Sequence, residues 1–143
     1  MEFNAKYFSE LTTRELYEII RAREEIFLLE QNIVCRDLDR VDYDSLHCFL
    51  TEDGELIAYL RAYALDGGAR IGRVHSLTHG KGHGSRLMNE ALPVIREKFN
   101  TDKITVHAQK HAEGFYRNIG FIPTSDDLLE ENVPHVAMEL ILV

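Results

Sequence analysis

Residues 79–88 read HGKGHGSRLM, with Gly80, Gly82 and Gly84 set between polar side chains just before an apolar run begins. Leu87, Met88, Ala91, Leu92 and Ile95 recur at helical spacing, so a helix opens near Gly82 or His83. The first turn of a helix has N–H groups without internal partners, and its dipole favours an anion there. Glycines let a phosphate approach without a Cβ in the way. The segment is therefore either a tight strand-to-helix turn or a phosphate cradle.

Before this stretch, residues 47–77 read as three strands. Turns at Asp53-Gly54 and Gly67-Gly68 separate them. In the middle strand Tyr59, Arg61 and Tyr63 share one face, and Ala58, Leu60 and Ala62 the other. Upstream, residues 3–9 form a short strand. TTRE at 12–15 is a capping box that starts a helix running to about Glu30. Residues 35–48 are acidic and irregular and read as a loop. Downstream, Pro93 is expected to kink or divide the second helix. KITVHA (103–108) is a buried strand. QKHAEGFYRNIG is a short helix ending at Gly120, and further strands lie near 119–125 and 134–143. The order is that of one mixed α/β domain, residues 1–143, on a central sheet.

Composition narrows the function. The net charge of −8 argues against a nucleic-acid partner. No apolar run spans a membrane and none near the N-terminus makes a signal peptide, so a cytoplasmic location is expected. Cys35 and Cys48 read as ordinary thiols. No P-loop is present, and the glycine spacing is not the Rossmann fingerprint. His75, His79 and His83 repeat every four residues, but the intervening glycines break the helix that would align them, so no metal is expected. DLDRVD fails as a calcium loop, because its twelfth position is Cys48.

HGKGHGSRLM followed by VHAQKHAEGFYRNIGF resembles the GCN5-related N-acetyltransferase (GNAT) superfamily. FLLEQ, RDLDRVD, IGRV and VPHVAME make the chain similar to its ElaA-like branch. The resemblance implies a single-domain acyl-CoA N-acyltransferase-like fold. Its mixed central sheet is flanked by helices, with two splayed parallel strands at 69–77 and 102–108. The pyrophosphate motif maps to His79, Gly82 and Gly84, with His in place of Arg or Gln. A second motif maps to Gln109, Ala112 and Tyr116, with Gln in place of Asn. Cofactor contacts are then expected from Val74, His75, His79, Gly80, Lys81, Gly82, His83, Gly84, Ser85, Gln109 and Tyr116.

The implied reaction moves an acetyl group from acetyl-CoA directly to the amine of a small molecule or peptide. A CoA-binding sensor or partner subunit without catalysis is the alternative. Neutralising an alkylamine at pH 7 costs about 4.6 kcal/mol, so a proton acceptor is needed; Glu30, His47 and His75 are the candidates. Tyr116 is the implied donor to the leaving thiolate. A backbone N–H after Val74 or His75 would polarise the thioester carbonyl. Glu30, His47, Arg61, Arg73 and His135 are candidate acceptor-pocket residues. The two arginines suit an anionic acceptor, whereas Asp37, Asp39 and Asp42 suit a cationic one, and the sequence leaves that open. Terminal strands in such folds often pair between subunits, which leaves a homodimer open.

Overall fold

A computed structural model describes residues 1–143. The elements follow the expected order: β1 (Glu2–Tyr7), α1 (Thr13–Arg23), β2 (Leu46–Glu52), β3 (Glu55–Leu65), β4 (Gly68–Ser76), α2 (His83–Phe99), β5 (Lys103–Gln109), α3 (Glu113–Ile119), β6 (Ile122–Pro123), β7 (Leu128–Glu130) and β8 (Val133–Ile141). One sheet runs β1-β2-β3-β4-β5-β8-β6, with β7 paired to β8. Every pairing is antiparallel except β4 with β5. None of the helices is long and apolar enough to cross a membrane.

The sheet has two differently used faces. Cys48, Leu60, Ile71, Val106 and Met138 turn toward α2 and pack on Leu87, Met88, Ala91 and Ile95 in the main core. Phe49 and Tyr59 turn the other way and pack on Ile19 of α1. This follows from the period of two along each strand and the helical spacing of the apolar residues of α2.

Local signals act as their chemistry requires. Thr12 Oγ1 accepts from the Glu15 N–H at 3.0 Å, and Glu15 returns a bond to the Thr12 N–H at 2.8 Å. The β2–β3 turn has Asp53 and Gly54 in the left-handed region. The next turn lies one residue earlier than the sequence suggests, on Asp66 and Gly67. Gly68 instead opens β4, where a Cβ would lie 2.8 Å from the Lys103 carbonyl oxygen. Its missing side chain lets β4 approach β5.

Three features differ from expectation. Helix α1 continues as a π-helical segment over Glu24–Glu30 rather than as regular α-helix. Pro93 does not divide α2. Pro93 and Asn89 are both exposed, so the Asn89 carbonyl that loses its helical partner is open to solvent. The strand expected at 119–125 shrinks to Ile122–Pro123, and the short strand β7 precedes β8.

Candidate active site

Strands β4 and β5 pair at only three positions, the last being Ile71 with Val106. Beyond that point β4 runs on to Ser76 and β5 to Gln109, leaving an open wedge. The cause lies in β4. Gly72 pairs with Arg61 and His75 with Tyr59, so Arg73 and Val74 together face Leu60. This is a β-bulge, with Arg73 at φ +52°. A cavity of about 460 Å³ fills the wedge, with Val74 on one wall and Val106, His107, Gln109 and Tyr116 on the other.

The glycine segment follows β4. Gly80 and Gly82 adopt φ +75° and +74°, and no protein atom lies within 4 Å of a Cβ built on either. Gly82 caps α2 without a side-chain hydrogen bond, and no acidic residue occupies the first turn. The first N–H groups of α2 are thus left for an external acceptor. His79 Nε2 lies 2.8 Å from Glu30 Oε1 at the surface. This contact joins the end of the π-helical segment to the glycine turn, next to Gln31, which lines the cavity.

The acidic loop and the arginines are partners. Arg23 bonds Asp37 at 3.0 Å and Asp42 at 2.7 Å. Arg61 bonds Asp39 at 2.7 Å and Asp42 at 3.0 Å. Arg73 bonds Asp37 at 2.9 Å. Three arginines thus meet three aspartates, which removes the conflict between an anion clamp and a cation trap. Burial opposes ionisation of Asp39, but the Arg61 and Arg73 charges outweigh it and hold its pKa to about 2. Burial also opposes ionisation of Asp42, and Arg23 and Arg61 again prevail, lowering its pKa.

A family model described as an acetyltransferase (GNAT) domain matches residues 23–142. The chain belongs to the GNAT acetyltransferase family. It is 36% identical to a UPF0039 protein of Schizosaccharomyces pombe, over 98% of this chain and 97% of that one. The crystal structure of an acyl-CoA N-acyltransferase from Pseudomonas aeruginosa matches with a TM-score of 0.91 at 31% identity, covering 98% of this chain and 99% of that one. The crystal structure of Escherichia coli ElaA matches equally well, at 30% identity and the same coverage. The chain is therefore a GNAT domain of the ElaA-like branch, and the family supports acyl-CoA N-acyltransferase activity.

Within this GNAT domain the sequence-derived candidates separate into two groups. Val74, Gln109, Tyr116, Arg61, Arg73 and His135 line the cavity. Glu30, His47, His75 and the glycine segment His79, Gly80, Lys81, Gly82, His83, Gly84 and Ser85 are not on its walls. His47 is fully buried, with Nδ1 2.7 Å from the Tyr59 hydroxyl and Nε2 3.0 Å from the Asp42 carbonyl oxygen. Both ring nitrogens are engaged, which removes it from the acceptor pocket. His75 pairs with Tyr59 across the β3–β4 ladder, beyond the bulge. It lies between Tyr59 and Phe27 with neither nitrogen hydrogen-bonded. Burial, then the Arg23 charge, pushes its pKa down to about 4, a poor proton acceptor at pH 7.

Tyr116 packs its ring between Phe115 and Phe121, and burial raises its pKa. It stays protonated and is able to donate. The GNAT cavity also holds groups that sequence reasoning passed over: Arg70, His107, Glu130 and Glu131. The strand alternation put His107 with Thr105 on the face away from the core, and that was its signal. Glu130 had none, because only the β7–β8 hairpin brings it to β5.

Proposed function

We propose that this protein transfers an acetyl group from acetyl-CoA to the primary amine of a small molecule or peptide, by direct attack and in a cytoplasmic setting. The observation that carries this reading is the wedge between β4 and β5. Strand backbone normally satisfies its neighbours, but beyond Ile71 the β4 edge that faces β5 has no strand partner. That edge is free to hydrogen-bond an extended chain lying in the wedge. Glycines at 82 and 84 and the uncapped start of α2 suit the pyrophosphate of the same ligand. Gly84 faces the Phe115 ring at 3.5 Å from a built Cβ, so a larger residue there would crowd the same turn.

The N–H groups near Val74, released from pairing by the bulge, polarise the acyl carbonyl as negative charge develops on it. Tyr116 gives its proton to the leaving sulfur. Arg61 and Arg73, neutralised by Asp37, Asp39 and Asp42, hold the loop at 35–42 against the sheet as a wall on the acceptor side. That wall carries little net charge of its own, so it favours neither strongly anionic nor strongly cationic acceptors.

The test is to incubate the protein with acetyl-CoA and a panel of primary amines, following free thiol and the mass of each amine. Amine-dependent thiol release with an acetylated product is expected. Tight acetyl-CoA binding with no product from any amine would favour the non-catalytic binding module instead.

A further inference from the structure

His107 is the first residue of β5 beyond the last position paired to β4, so it stands at the apex of the wedge. Its neighbours Val106 and Ala108 point into the core against α2. The ring therefore projects from the opposite face, the side bounded by Arg61 and the acidic loop. It is 33% exposed and lines the cavity.

A carboxylate stands behind it. His107 Nδ1 is hydrogen-bonded to Glu130 Oε1. A carboxylate only accepts, so Nδ1 carries the hydrogen and Nε2 keeps its lone pair. Glu130 is itself fixed. It ends β7 at a tight hairpin whose turn residues Glu131 and Asn132 have φ +50° and +62°. Its other oxygen lies 3.8 Å from His135 Nε2, and His135 Nδ1 donates to the Val133 carbonyl oxygen at 2.7 Å. Base, orienting carboxylate and cavity are thus collinear in function, the arrangement that activates a nucleophile in unrelated enzymes. The three proton acceptors nominated from the sequence are occupied or displaced: Glu30 bonds His79, His47 uses both nitrogens, and His75 is off the cavity.

We propose that His107 is the general base for the acceptor amine, with Glu130 as its positioning residue. This rests on the acyl-transfer reading above. Before attack, Nε2 takes one proton from the alkylammonium, the imidazolium so formed stays hydrogen-bonded through Nδ1–H to Glu130, and solvent carries that proton away. As the neutral amine forms the N–C bond and the C–S bond breaks, the leaving sulfur takes the Tyr116 proton, and the second proton lost by the nitrogen returns through solvent to the phenolate.

The experiment has two arms. In the first, ring-labelled histidine NMR of the full chain reads the His107 tautomer in the wild type and in Glu130→Gln. The expected result is an Nδ1–H tautomer in the wild type, weakened in Glu130→Gln, with global unfolding temperature little changed. A wild-type His107 in the Nε2–H form, or one indifferent to Glu130→Gln, overturns the proposal. In the second, His107→Gln is compared with the wild type for acetyl-CoA affinity and for thiol release with primary alkylamines and with hydroxylamine, which is already neutral at pH 7. Alkylamine turnover should fall roughly 10²-fold or more, with hydroxylamine turnover and acetyl-CoA affinity largely kept. Unchanged alkylamine turnover overturns the proposal. Loss of acetyl-CoA binding by the wild type would instead contradict the acyl-transfer reading itself.

Discussion

Arg23 Nη1 lies 2.7 Å from Asp42 Oδ1, and both residues are buried between α1 and the sheet. Arg61 approaches the same oxygen from β3 at 3.0 Å. One carboxylate thus ties helix, loop and strand together behind the acceptor wall. Removing it leaves Arg23 with Asp37 and Arg61 with Asp39 as their remaining carboxylate partners. Asp42→Ala should cost about 1–3 kcal/mol, read as a lower midpoint in chemical denaturation. A loss under about 0.5 kcal/mol would mean that Asp37 and Asp39 alone hold the two arginines.

The titration of stability should be set by His75 at mildly acid pH. Its folded pKa of about 4 lies below the ordinary histidine value of 6.5, so between those pH values the unfolded chain binds the extra proton. Stability contributed by keeping it neutral is full above pH 6.5 and is lost as pH falls through 4. Asp39, held to about 2 against 3.8, gives its loss lower, as pH falls from about 4. Because neither His75 nitrogen has a partner, His75→Phe should fold well and flatten the dependence of unfolding temperature on pH between 6.5 and 4. It should also retain turnover. A steep dependence in the variant would assign the effect to His47, whose pKa burial also lowers.

Tyr116→Phe keeps the ring that packs against Phe115 and Phe121 and deletes only the hydroxyl. Turnover should fall roughly 10²-fold while the acetyl-CoA dissociation constant stays nearly constant, because a donor to the leaving group acts mainly in the transition state. Steady-state kinetics beside calorimetric titration separates the two. Equal turnover would leave Tyr116 as a core aromatic.

Gly82→Val isolates the glycine turn. A Cβ at 82 meets no protein atom within 4 Å, so the folded chain suffers only backbone strain at φ +74°, of order 1–3 kcal/mol. Loss of acetyl-CoA binding is expected. Gly82→Asn, which tolerates the left-handed conformation better, controls for strain. Binding by the valine variant as tight as the wild type would move the phosphates elsewhere.

Sequence patterns carried the fold wherever the determinant is local. The Thr12–Glu15 box, the Asp53-Gly54 turn and the apolar spacing from Leu87 to Ile95 each depend on residues within a few positions. Of the two family motifs, the residues of the second, Gln109, Ala112 and Tyr116, line one cavity, whereas His79, Gly82 and Gly84 of the first lie outside it. The bulge at Arg73 escaped, because nothing in IGRV marks a left-handed arginine. The pairing of Arg61 with Asp39 and Asp42 spans 22 and 19 residues. The bond from His107 to Glu130 spans 23. Such contacts depend on tertiary geometry, and single-residue patterns do not carry it.

The most direct measurement is thermal unfolding of the chain alone and with acetyl-CoA, CoA or ATP. A ligand at 100 times its dissociation constant adds about 2.7 kcal/mol, or roughly 5–10 °C for a domain of this size. That shift is expected with acetyl-CoA and CoA, and none with ATP. No shift with either CoA species would contradict cofactor binding and leave HGKGHG as a tight turn before α2.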